Sequence, residues 1–152
     1  MADHLRTQCR DAAKDLIDAL TTTGTRCFAG RPESRPLQEA ELPGLLVYTD
    51  ETEASAESGQ LGSRRMVELC NLVIVGVARG TGDIDSTLDT IEKEVRAALA
   101  AAPTLSGKAK DLLFSGSVKE RDPEAEQPTW LIRMTFTLEY HTRETAPDTA
   151  LA

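Results

Sequence analysis

The sequence predicts a single α+β domain: a mostly antiparallel twisted sheet with two helices packed on one face. Three observations predict it. Two segments repeat apolar residues at spacings of three and four, and several others alternate or run apolar as strands do. The elements follow one another as α-β-β-β-α-β-β. The chain is 152 residues long, 40% hydrophobic and 28% charged, which fits one core without staples. Aromatic residues make up only 4%, so aliphatic side chains must fill most of that core.

The first helix is predicted over about residues 3–21. Leu5, Cys9, Ala12, Ala13, Leu16, Ile17 and Leu20 stack on one face, and Asp3, Arg6, Arg10, Lys14 and Asp18 fall mostly on the other. Three threonines and Gly24 end it, the glycine being free to take a left-handed cap. Thr25–Ala29 is a short strand. A loop punctuated by Pro32 and Pro36 follows, and Leu45–Thr49 is a second strand. Asp50–Ser63 holds Leu61 as its one large apolar residue, so it is expected as a long mobile loop or hairpin tip.

Arg64–Arg79 is apolar on both faces, which predicts a central strand covered on both sides over its second half, with a bulge or a projecting hairpin arm. A second helix starts at an Asp83 N-cap and carries Ile84, Leu88, Ile91, Val95 and Leu99 on one face, until Pro103 stops it. Asp89/Lys93 and Glu92/Arg96 are acid-first pairs four apart. Asp111–Lys119 is the fourth strand, with Leu112, Phe114 and Val118 assigned to one face. In the last strand Trp130, Ile132, Met134, Phe136, Leu138 and Tyr140 face the core, against a mostly polar opposite row. The domain is expected to occupy residues 1–143, leaving 144–152 as a disordered tail.

The chain carries 17 basic against 25 acidic residues, a net charge of −8. Such a surface repels phosphate and disfavours nucleic-acid reading through backbone contacts. Leu69–Ala78 is half of what a spanning helix needs, and Met1–Arg10 lacks the apolar stretch of a secretory signal. Cys9, Cys27 and Cys70 show no metal or disulfide spacing and read as small buried thiols in a reducing compartment.

Chemistry is sparse. Neither His4 nor His141 has the context of a catalytic base, and both read as solvated structural residues. Gly80-x-Gly82 lacks the third glycine of a dinucleotide turn, and Asp83 and Asp85 would repel a pyrophosphate, so a tight turn with a helix cap is the better reading. The acidic residues Asp50, Glu51, Glu53 and Glu57 have no cation-binding spacing and read as a solvated charge run. Trp130 reads as a core or edge aromatic rather than an interface anchor. No catalytic residue, metal site or cofactor is expected.

Three segments carry a resemblance: Arg26–Pro32, the run Leu42–Asp50, and Leu138–Arg143. Together with the element order and the Asp83-Ile84-Asp85 helix start, they resemble the bacteriophage tail-terminator family, minor tail protein U-like, over about residues 4–143. The resemblance implies a structural, non-enzymatic virion protein that forms a ring, typically of six subunits, on the finished end of the tail tube. It implies as partners further copies of the chain, the tail tube protein and the head–tail connector, with genome DNA passing the lumen unbound and no membrane. Six copies at −8 give an acidic ring of −48.

Subunit or tube contacts are expected at Arg31 and Arg35 of the proline loop, at Asp50, Glu51, Glu53 and Glu57, and at Arg64. Two other readings stand beside this one. Type III secretion chaperones are small, acidic, dimeric α+β proteins with a similar order, but they usually close with another helix. A small enzyme or ligand-binding domain is the third.

Overall fold

The computed structural model describes residues 2–31, 37–80, 82–122 and 127–151. Helix α1 spans Leu5–Leu16, β1 Cys27–Ala29, β2 Gly44–Ser58, β3 Arg65–Arg79, α2 Ile84–Ala100, β4 Asp111–Arg121 and β5 Thr129–Arg143. The strands form one sheet in the order β1-β2-β3-β5-β4, with β1 parallel to β2 and the other pairs antiparallel. The predicted α+β class and element order hold. A one-turn 3-10 helix at Glu39–Glu41 adds to them.

Both helices lie on one face of the sheet. Leu5, Cys9, Ala13 and Ile17 from the α1 segment join Leu88, Ile91, Val95 and Leu99 of α2 against Leu45, Val47, Leu72, Ile74, Ile132, Met134, Phe136 and Leu138. The opposite face holds a smaller cluster in which Leu37 and Leu42 cover Leu46, Val73 and Val75. This covering explains the double apolar run of β3, which is the central strand as predicted. Gly44 permits that cover: a Cβ there would collide with the Glu41 carbonyl and stand 2.9 Å from Leu37 Cδ1.

α1 ends five residues earlier than the sequence predicts. His4 caps its start, accepting from the Arg6 N–H at 3.1 Å. Ile17 leaves helical geometry, and Gly24, with φ +56°, closes a turn in which its N–H donates to the Leu20 carbonyl at 2.7 Å. Leu16 is half-exposed rather than on the core face. Asp83 caps α2 as predicted, accepting from the Ser86 N–H at 3.0 Å.

Three further expectations are corrected. Asp50–Ser58 is strand, not loop: β2 runs through it, and the connection to β3 is confined to 59–64. Pairing with β3 satisfies this polar backbone where burial does not. Of the two alternatives for β3 the hairpin arm holds: β3 is itself regular, and the bulges lie in β2, where Asp50 and Glu51 together oppose Asn71 and a second shift falls at Glu57.

β4 carries a bulge between Phe114 and Gly116, which reverses its side-chain alternation. Leu112 and Phe114 face the helices, but beyond the bulge Lys119 takes that face and Val118 turns away, 57% exposed. Residues 144–151 are not loose either. The Leu5 N–H donates to the Pro147 carbonyl, Gln8 reaches the Asp148 carbonyl, and the Leu151 N–H bonds the His141 carbonyl at 2.9 Å. Short polar segments can dock in this way when another element's unfilled donors meet their carbonyls, and here the start of α1 supplies them.

Candidate assembly interface

β2 beyond Thr49, the connecting turn and the first half of β3 form an arm of the sheet. β5 flanks its inner side along an unbroken register from Arg65↔Arg143 to Arg79↔Thr129. Asp50, Glu51, Glu53 and Glu57 are all exposed on β2. Ala54, Ser55 and Ala56 lie between them, so the outer strand is a row of small residues bracketed by carboxylates.

The arm is braced by charge. Glu57 pairs with Arg65 at 3.1 Å, and Arg65 Nη2 meets His141 Nδ1 at 2.9 Å. His141 Nε2 in turn lies 3.2 Å from Glu139. On the helix-bearing face Glu68 accepts from the hydroxyls of Thr142 at 3.1 Å and Tyr140 at 3.4 Å. Burial, with Glu68 nearby, pushes the Tyr140 hydroxyl well above its ordinary range, so it stays a donor. Arg6 reaches Thr52 at 2.8 Å and ties the arm to α1.

The predicted contact residues fall into separate places. Arg31 lies on the other side of β2, where both its terminal nitrogens meet Glu41, at 2.8 and 3.1 Å, and its guanidinium lies 5.2 Å from the Phe28 ring centre. This is a bidentate pair within the chain, holding the 3-10 turn over the small cluster. Arg64 joins the tail: its main chain and side chain both meet Glu144, the side chains at 3.6 Å. Arg35 lies outside the described residues. Among the described residues of this set, only the four carboxylates lie together on one strand, β2.

Sequence separation hid two interactions. Lys119 bonds Asp85 and Asp89 of α2, each at 2.7 Å, and these bonds raise its pKa above the ordinary lysine value. Asp89 therefore serves β4 across the fold, while Glu92 and Arg96 do approach each other along α2 at 3.6 Å. Arg96 also stacks on Phe114, 4.0 Å from its ring centre. The bulge that aims Lys119 at α2 leaves no pattern in a period-two reading.

Where Gly80 and Gly82 lead into α2, a depression of about 370 Å³ is lined by Asp83, Asp85, Lys119 and Trp130 among others. Its polar groups are already engaged, Asp83 with Ser86 and Asp85 with Lys119. Trp130 is 37% exposed at its rim, an edge aromatic. All three thiols are buried, and burial pushes Cys9 and Cys27 up to about 12, so they stay protonated at neutral pH. Among the described residues no group of three His, Cys, Asp or Glu could hold a metal ion, and no helix is long and apolar enough to cross a membrane.

Comparison with known proteins gives one family. No curated protein matches the chain. Among solved structures it is similar to a chain of the virion of a native gene transfer agent particle, at 17% identity and a TM-score of 0.47, covering 88% of this chain and 94% of that one. The family model described as phage minor tail protein U matches residues 4–140. That match takes in both helices and all of the sheet but the last three residues of β5, so the chain belongs to the phage minor tail protein U family, structural proteins of the phage tail.

Proposed function

We propose that this protein is a tail terminator. Copies of it, six in our reading, form a ring on the finished end of the tail tube, stop addition of tube protein and offer the opposite face to the head–tail connector. The observation that carries the reading is the family match across residues 4–140. It favours this role over a dimeric secretion chaperone and over a small enzyme or ligand-binding domain. The protein would be assembled in the host cytoplasm and reside in the virion at the head-proximal end of the tail.

The physical chemistry supports it. A stopper needs two unlike faces and ring symmetry rather than a catalytic centre. A chain of net charge −8 disfavours phosphate binding, so DNA can pass without the friction that neutralised phosphates add. The test is tube length. Tube protein polymerised with the purified chain should give shorter tubes bearing one ring-shaped density per capped end. Equal lengths with and without it, and bare ends, would refute the role.

A further inference from the structure

Among the described residues the sheet is open at both ends, and the two open edges differ. On one side β1 pairs only with Leu45–Val47, so among the described residues no strand lies outside β2 from Thr49 to Ser58. On the other side β4 ends the sheet along Asp111–Arg121. An uncovered strand edge is a row of unpaired N–H and C=O groups that templates a further strand. Bulges divide each edge into regular pieces: Thr52–Ala56 on β2, and Gly116–Arg121 on β4.

We infer that copies of this chain join by strand addition, the outer edge of β2 in one copy pairing with the outer edge of β4 in the next. Three features select a second copy as the occupant. Strand directions alternate through β2, β3, β5 and β4, so a sheet continued in the same sense sets the next copy's β2 antiparallel to β4. The charges differ in sign: residues 50–57 hold four carboxylates and no base, while 108–121 hold Lys108, Lys110 and Arg121 against Asp111 and Glu120, with Lys119 already engaged by Asp85 and Asp89. The small side chains Ala54, Ser55 and Ala56 admit a neighbouring strand carrying the exposed Val118.

Two different edges meeting head to tail make a heterologous contact, which repeats around a ring and leaves neither of these two pieces open. Like edges meeting across a two-fold axis would stop at a dimer. The inference rests on the ring reading above and supplies its joint.

The test is cross-linking of the whole chain carrying Ser55→Cys and Val118→Cys, using a short bismaleimide. The three native thiols are buried, so wild type is the blank. The double variant should give a ladder of covalent multimers, in solution or on isolated tail tubes, and each single variant should stay monomeric on a denaturing gel. If the double variant fails to fold, Ala56→Cys with Ser117→Cys places the thiols on the opposite face of the same edges, in the same register. Dimers from Ser55→Cys alone would overturn the inference in favour of two-fold pairing. Multi-subunit mass by light scattering, or ring density on tubes, without a ladder would overturn it and leave the ring reading standing. Absence of any multi-subunit species in both settings would overturn the ring reading, and this joint with it.

Discussion

Ile91 of α2 sits directly over Gly76 of β3, so closely that a Cβ at position 76 would stand 2.8 Å from Ile91 Cγ2. Ile132 Cγ2 would be 3.1 Å away on the neighbouring strand. The absent side chain sets how near the helix approaches the sheet. Gly76→Ala should therefore force α2 outward and cost about 1–3 kcal/mol, the usual penalty for overpacking. Chemical denaturation checks it, and an unchanged midpoint would show that the helix is free to shift.

Phe136 is buried at the centre of the helix-bearing face and meets Phe114 edge to face, ring centres 5.3 Å apart. Phe136→Ala should cost roughly 3–5 kcal/mol through cavity formation. At about 2–4 °C per kcal/mol for a chain of this size, the melting temperature should fall by at least 6 °C. A melt within a degree or two of wild type would contradict the packing.

The Asp83 cap gives a pH signature. Hydrogen bonds from the Ser86 N–H and hydroxyl hold its carboxyl below the ordinary value of 3.8. A depressed folded-state pKa contributes stability that is present above the unfolded value and lost as pH falls through the folded one. Asp83→Ala should thus melt earlier than wild type at pH 7, and the gap should narrow below about pH 4. Asp83→Asn keeps an acceptor but not the charge, so at neutral pH it should recover only the part of the difference that survives in wild type below about pH 4. A gap independent of pH would mean that the charge plays no part.

Arg31 and Glu41 lock each other. Reversing Arg31 alone sets two carboxylates against one another, so Arg31→Glu should loosen the turn over Leu46 and Val75 before any assembly is tested. Arg31→Glu with Glu41→Arg should recover the melting temperature. Arg35→Glu is then the cleaner probe of subunit contact. Unaltered ring formation in that variant would remove Arg35 from the interface.

Burial of the three thiols predicts silence toward a thiol reagent. An Ellman assay should count none in the native protein and three after denaturation. Rapid native labelling would place at least one thiol at the surface.

How far the sequence was legible depended on burial. β5, α2 and β3 announced themselves because Ile132, Leu88 and Ile74 repeat at the period of their element and face a core. The outer half of β2 did not, because Glu53 and Ser55 are strand residues held by a partner strand rather than by apolar contact. β4 misled at Val118, since one extra residue near Ser115 reverses every later side chain. Arg31 reads from the sequence as a subunit or tube contact, and its partner within the chain, Glu41, sits ten residues away in a turn that no pattern marks. The tail was legible least, its docking being made through main-chain groups.

The contrast between the unbroken β3–β5 ladder and the bulged flanks has a consequence for how the native molecule breathes. Fifteen consecutive pairs join β3 to β5 without a slip, and their middle is buried beneath α2. Amides at Leu72–Val75 and Ile132–Met134 can then exchange with solvent only when the whole fold opens. Residues 50–58 of β2, bulged and with no strand on their outer side among the described residues, can detach while that spine stays shut. The part of the chain proposed to meet a neighbouring copy can thus rearrange without spending the stability of the domain.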